Sequence, residues 1–390
     1  MTPTPAPGEP VRLGRVGALD GLRAVFVALI VGWHLFRIVV PHGSLDNRTS
    51  NPIPGAFIGV DLFFVLSGFL ITTLLLQEQR RGTGRIRLGA FYVRRALRLL
   101  PALVVMVGAY AVFSAVTGFD WHALRVSVVP VLFYYANWAQ VWGHFQMFSR
   151  GLTHTWSLAV EEQFYLVWPI VIAGVLSIRR SLSTVTIALC GALVAVELHR
   201  LALFDVHSGL SKLVVFERTD TRCDGLLAGA LLAQFWVRGR APRRGVGPAA
   251  WIAVVFLAWC VARVPATSNF YPEGGFALVA IAGAVVILAA ADSKWSARRV
   301  LASAPFVAVG VVSYGIYLWH FPVFVAVQYL GGGWGAAMRV VVAAFATAAF
   351  TVLSWRFVER PFLGLKQRFD GRGRTQAGDD PALSRSERAP

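Results

Sequence analysis

Residues 19 to 40 read LDGLRAVFVALIVGWHLFRIVV. A run of this length and apolarity matches the ~20 residues that a helix needs to cross the hydrocarbon core of a bilayer. It reads as a transmembrane helix whose polar residues include Arg23 and His34. They are eleven positions apart, about three helical turns with ~20° left over, so both point the same way and lie ~16 Å apart along the axis. Arg23 falls near one boundary of the block, where it is equally a snorkelling anchor, and His34 lies deep inside it.

Outward from this block the same pattern repeats. Apolar stretches occur near residues 56 to 76, 99 to 117, 156 to 177, 184 to 203, 222 to 237, 249 to 264, 274 to 291, 303 to 327 and 337 to 357. With the first block these are ten candidate spans. The chain of 390 residues is 56% hydrophobic and only 15% charged, which leaves too little polar surface for a soluble domain. Lipid is the solvent this composition fits.

The formal charge of +17 suggests a polyanion partner in a soluble protein. Placement argues against nucleic acid here, because the arginines gather in short segments between apolar blocks, at Gln79 to Arg98, Arg238 to Arg244 and Lys294 to Arg299. That is where cytoplasmic loops hold basic residues. Together with Arg179 and Arg180 they give one consistent topology, multi-pass in the bacterial cytoplasmic membrane with both termini cytoplasmic. It requires an even number of crossings between Arg98 and Arg179. The run VSVVPVLFYYANWAQVW from Val126, interrupted by Pro130 and rich in Tyr and Trp, is therefore placed as a re-entrant or interfacial segment.

The expected fold is thus an all-α integral membrane bundle of about ten transmembrane helices with one re-entrant or interfacial segment. Residues 1–17 and 363–390 read as disordered cytoplasmic ends, flanking a membrane domain at 18–362. The Pro-rich start does not read as a signal peptide. Cys190, Cys223 and Cys260 match no zinc or redox spacing and read as packing residues, and no metal site is expected.

Charged groups inside spans are costly, by about 3 kcal/mol at the bilayer centre, and usually face a protein interior or a wet cavity. Counted from the outer ends of their spans, His34, Asp61, Glu161 with Glu162, and His320 all lie five to seven residues deep, or ~8 to 10 Å. Any one of them alone is equally a helix-packing hydrogen bonder. A layer of imidazole and carboxylate groups, however, is what proton transfer at a hydroxyl needs, with a carboxylate fixing the tautomer of the base.

Several stretches now fall into an order that resembles acyltransferase family 3, the bacterial integral membrane O-acyltransferases: LDGLRAVFVALIVGWH from Leu19, GVDLFFVLSGFLI from Gly59, FYVRRALRLLP from Phe91, HTWSLAVEEQFYLVWP from His154, ERTDTRCDGLLAGALLA from Glu217, SYGIYLWHFPV from Ser313 and VERPF from Val358. The resemblance runs from about residue 19 to 362. It implies transfer of an acyl group, acetyl first, from acyl-CoA to a hydroxyl of a polysaccharide, glycolipid or secondary metabolite. Arg23 and His34 fill the family's first-helix motif. Glu161, with Glu162 beside it, fits the Glu-x-x-Phe-Tyr pattern, and Asp61 joins them as a catalytic candidate.

By the same resemblance, Arg94, Arg95 and Arg98 are candidates for the CoA phosphates, for which guanidinium forks are well suited. The positive-inside rule explains the same arginines equally well. Asp220, Arg222 and Asp224 either shape the acceptor site or pair with one another. Tyr317 and His320 complete the candidates on the acceptor side. Ser67 and Gly68 read as close-packing residues. Many relatives carry a C-terminal esterase-like domain for which this chain has no room, so a stand-alone form is expected, acting alone or with a separate partner protein.

The mechanism these readings imply has acyl-CoA gripped by Arg23 and the Arg94 to Arg98 loop, and His34, oriented by Glu161, acting as general base on the acceptor hydroxyl. A transient acyl-histidine is the variant. The alternative class is a multi-span transporter or lipid flippase, whose midplane site also collects His, Asp and Glu. It expects broken helices in two corresponding halves.

Overall fold

The computed structural model describes residues 16–40, 51–81, 86–143, 147–177, 182–242, 244–291 and 295–366. Most of the expected terminal segments, Arg179 with Arg180, Arg243 and Lys294 lie outside them. In lipid a backbone must satisfy its own hydrogen bonds, and the apolar blocks do so as helices. No strand occurs among the described residues.

Helix α1 (Gly17–His34) passes directly into a wider π-helical turn, Leu35–Val39. A 3-10 turn at Ala56–Ile58 starts α2 (Gly59–Arg81), and α3 (Leu88–Thr117) follows. Two short helices, α4 (Trp121–Leu132) and α5 (Ala136–Trp142), precede a 3-10 turn at Arg150–Thr155 that leads into α6 (Trp156–Ser177). Next come α7 (Leu182–Leu203), α8 (Gly209–Glu217), α9 (Thr219–Arg222), α10 (Asp224–Val237), α11 (Val246–Arg263) and α12 (Phe276–Ala291). The described chain closes with α13 (Arg298–Leu301), α14 (Ala304–Val311), α15 (Ser313–Leu330), α16 (Ala336–Ser354) and α17 (Arg360–Lys366), so residues 363–366 are helical where a tail was expected.

All ten expected spans are helical, but they differ in length. Among the described residues eight helices are long and apolar enough to cross a membrane, and a ninth crossing is the pair α14 and α15, bent by 64°. The tenth segment, α10, has 14 residues, or ~21 Å of helix, short of a full crossing.

The insert between α3 and α6 begins and ends at one point. The Asp120 carboxylate accepts hydrogen bonds from Tyr110 in α3 at 3.0 Å and from Ser149, just before the α6 lead-in, at 2.6 Å. Neither α4 nor α5 is long enough to cross, and the chain breaks between them with Tyr134 at φ 55°. A segment that leaves and returns at the same place fits the re-entrant expectation for the run from Val126.

Helix α2 is the most enclosed span, with 78% of its apolar window buried, against 17% for α7 and α16. Its crossing with α10 is a backbone-to-backbone approach. A Cβ on Gly68 would stand 2.0 Å from the Leu226 carbonyl oxygen, and one on Gly229 would stand 2.0 Å from that of Val65. Small residues on both helices permit this closeness, as is usual where lipid supplies no hydrophobic drive between helices. With α2 fixed at the centre, α1, α6, α10 and α12 pack against it, and α15, packed on α1, helps to enclose the polar interior.

Candidate active site

Two chambers lie along α1. The first, about 430 Å³, runs past Val16, Asp20, Arg23 and Ile30 and is walled by α2, α3, α6 and the start of α15. The second, about 280 Å³, runs past Ile30, Trp33, His34, Arg37 and Ile38, with Trp156, Phe216 and Phe321 opposite. Their linings share Ile30, Val60 and Tyr317 and nothing else. The regular helix from Gly17 to His34 keeps Arg23 and His34 on one face, so Arg23 looks into the basic chamber and His34 into the aromatic one.

Three imidazoles meet at the aromatic chamber. His320 Nδ1 lies 2.6 Å from the carbonyl oxygen of Tyr317 and 3.2 Å from that of Ile316. Carbonyls only accept, so this nitrogen carries the proton, and Nε2 of the neutral ring must be the acceptor. His34 Nδ1, 3.0 Å away, therefore donates to it. The lone pair of His34 is left on Nε2. His154 completes the group, stacked on Phe321 at 4.9 Å with its ring 5.7 Å from that of His320, and neither of its nitrogens has a hydrogen-bond partner among the described residues.

Between the chambers, the Tyr317 hydroxyl donates to the His154 carbonyl at 2.8 Å and lies 2.5 Å from Ser157 Oγ. The π-helical turn after His34 widens α1 at this depth, a departure often found at functional sites.

The basic chamber holds more charge than it exposes. Arg95 donates to both oxygens of Glu162, from Nη2 to Oε1 at 2.5 Å and from Nε to Oε2 at 3.0 Å, and Asp20 pairs with Arg23 at 2.9 Å. Glu161 accepts from Ser67 and from the Tyr165 hydroxyl, the latter at 2.5 Å, and stands 3.9 Å from Arg95. Arg98 lines the chamber and makes no ion pair among the described residues. Ser313 and Tyr314, at the N-terminus of α15, face the same space and bring the positive end of that helix to it.

The expected single layer of ionisable groups divides into three. His34 and His320 sit together, Glu161 and Glu162 belong to the basic chamber, and Asp61 is bound by Arg222 at 2.7 Å and lines neither chamber. Glu161 therefore does not orient His34, and its place is taken by His320. The depth count failed because the sixth-helix span starts at Arg150, not Trp156, which carries Glu161 nearly two turns deeper. Arg94 is also displaced from its expected role, facing Glu78 at 3.7 Å outside the chamber.

Asp220, Arg222 and Asp224 separate as well. Asp220 lies with Arg218 and His199, Arg222 with Asp61, and Asp224 with Arg200 at 2.9 Å, and none of them lines either chamber. Burial raises the Asp220 carboxyl, but the hydrogen bonds from Arg218 and His199 more than offset this and hold it below the usual carboxylate range. From the same stretch it is Glu217 that reaches the aromatic chamber. Sequence reasoning passed over Glu217, His154 and Ser157, although each stands in a quoted motif. Gly68 packs as expected, whereas Ser67 holds Glu161 at the chamber wall. No group of three or more His, Cys, Asp or Glu among the described residues could hold a metal ion.

Fold and site together define a polytopic helical membrane protein built round a divided cavity with an imidazole pair beside the division. The chain belongs to acyltransferase family 3, whose model, described as an acyltransferase domain, matches residues 16–358. It is similar to a candidate O-acetyltransferase of Staphylococcus aureus strain COL, 31% identical over 365 residues that cover 89% of this chain and 57% of that protein. A candidate peptidoglycan O-acetyltransferase of Bacillus subtilis strain 168 and the peptidoglycan O-acetyltransferase OatA of Listeria monocytogenes are each 31% identical over 367 residues, 89% of this chain and 54% and 55% of theirs. The chain thus spans little more than half the length of these curated relatives. No solved structure matches it.

Proposed function

We propose that this chain is a membrane O-acetyltransferase that takes its acyl group from acyl-CoA in the basic chamber and passes it to a hydroxyl in the aromatic chamber. One observation carries the reading: His34, its Nε2 lone pair unused, lines the aromatic chamber one helical turn from Ile30, where that chamber meets the basic one. The described arginines near the Arg23 end, among them Arg80, Arg87, Arg94 and Arg240, support a cytoplasmic location for that end, in a bacterial cytoplasmic membrane. A donor made inside the cell would then enter the basic chamber, and an acceptor outside it would enter the aromatic one.

Arg98 and the N-terminus of α15 are the groups left to meet donor phosphates, since Arg95 and Arg23 already have carboxylate partners. The acyl thioester extends toward Ile30 and Tyr317. His34 Nε2 takes the proton of the acceptor hydroxyl as its oxygen bonds to the thioester carbon; the C–S bond then breaks, and the thiolate recovers that proton from the imidazolium. His320 holds the tautomer that leaves Nε2 free. The acceptor class is a carbohydrate, glycolipid or secondary metabolite, and the names of the relatives favour an envelope sugar. The transporter reading requires two corresponding broken helices, and among the described residues one pair, α14 and α15, is broken.

The test is purified protein in lipid nanodiscs with radiolabelled acetyl-CoA, wild type beside His34→Ala. The variant is expected to bind acetyl-CoA as the wild type does and to lose its consumption by at least about 10²-fold. Full turnover in His34→Ala removes the mechanism.

A further inference from the structure

The aromatic chamber contains one acidic side chain that the proposed reaction does not use. Glu217, the last residue of α8, lines this chamber with His34, is only 9% exposed, and its Oε2 has no hydrogen-bond partner among the described residues. Buried carboxyl oxygens are nearly always satisfied, so an idle one on a side chain that lines a cavity calls for a partner.

The position of Glu217 is held firmly. Asn137 Nδ2 donates to the Glu217 carbonyl at 3.2 Å and to Thr219 Oγ1 at 2.9 Å, while the Thr219 hydroxyl and the Asn137 carbonyl are both tied to Gln163. Two helices, α5 and α6, thereby fix the corner between α8 and α9. Beyond it, Arg222 packs over Phe216, another wall of the same chamber, with its guanidinium 4.8 Å from the ring. A side chain on so braced a corner is preorganised, which a selecting group needs and a space-filling one does not.

We infer that Glu217 is the specificity-determining residue for the acceptor, taking a hydrogen bond from a second donor beside the hydroxyl that is acylated. The acceptors it selects are vicinal diols and their amino or amido counterparts; simple alcohols and ethers leave the carboxyl oxygen unpaired. Burial pushes the Glu217 carboxyl up while Arg222 opposes, but an acceptor oxygen is present in either protonation state. Sites built to hydrogen-bond a substrate group discriminate strongly against analogues lacking it, because the protein's own buried group then goes unsatisfied. The inference rests on the acetyl-transfer reading and refines its acceptor side.

The experiment uses full-length protein in nanodiscs, acetyl-CoA, and two matched probes, trans-cyclohexane-1,2-diol and its mono-methyl ether. The readout is the ratio of kcat/KM values for ester formation, which partial loss of folded protein does not move. Wild type is expected to prefer the diol by at least about tenfold, chiefly through KM. Glu217→Ala should bring the ratio to within about twofold of unity, and Glu217→Gln, which keeps an acceptor oxygen, should retain most of the preference. A wild-type ratio near one, an unchanged ratio in Glu217→Ala, or a flattened one in Glu217→Gln overturns the inference. So does consumption of acetyl-CoA that requires His34 but esterifies neither probe, which leaves the reading of the reaction standing. Acetyl-CoA consumption indifferent to His34 removes that reading instead.

Discussion

His320 Nε2 and His34 Nδ1 lie 3.0 Å apart although 286 positions separate them in the chain. The Tyr317 and Ile316 carbonyls behind His320 give that hydrogen bond its direction. An imidazole ordinarily relies on a carboxylate to fix its tautomer; here a second imidazole, itself held by backbone, performs the task.

His320→Ala should lower kcat for acetyl transfer by at least about 10²-fold with the KM for acetyl-CoA little changed, because the variant affects proton transfer and leaves donor contacts in place. His320→Gln presents an amide oxygen to His34 Nδ1 and is expected to recover part of the loss. Steady-state kinetics with varied acetyl-CoA checks both, and equal rates for the two variants would show that the bond is not what matters.

Arg98→Ala should weaken acetyl-CoA binding by ~10- to 100-fold, the worth of a charge-assisted contact. Arg94→Ala should change it by less than about twofold, since that guanidinium faces Glu78 outside the chamber. Equilibrium binding of labelled acetyl-CoA to each variant decides, and equal losses would return the arginines to a common loop role.

Asp61 is 3% exposed and Arg222 fully buried, so removing one partner strands the other. Asp61→Ala should destabilise the protein by about 3 to 5 kcal/mol, seen as a lowered Tm in detergent. Asp61→Leu combined with Arg222→Met should recover much of that loss, because no unpaired charge remains. A double variant no more stable than the single one speaks against a simple ion pair.

Single cysteines at Val126 and Trp142, in a background with Cys190, Cys223 and Cys260 replaced by serine, should react with an impermeant maleimide from the same side of the membrane. The Asp120 carboxylate joins the two ends of that insert through Tyr110 and Ser149, and α4 and α5 are each too short to cross. Labelling from opposite sides would make the insert a true crossing.

What was legible in the sequence followed from local periodicity. The Arg23 to His34 relation could be counted because α1 is regular throughout. The short and interrupted run from Val126 declared its own weakness as a span. Pairings across the bundle, such as His34 with His320 or Asp61 with Arg222, have no local signature, and shared depth was a poor substitute for them. The 3-10 lead-in at Arg150–Thr155 hid the true start of the sixth-helix span and with it the placement of Glu161 and His154. Glu217 was invisible because its importance lies in an oxygen left without a partner, which only three-dimensional accounting reveals.

The narrow meeting of the two chambers at Ile30, Val60 and Tyr317 has a bioenergetic consequence. On the proposed reading, two bulky reactants approaching from opposite compartments need exchange only a few atoms there, so neither has to be carried through. On that reading a cell would decorate its exterior by this route while the side chains of Ile30, Val60 and Tyr317 keep ions from leaking and the proton-motive force stays intact.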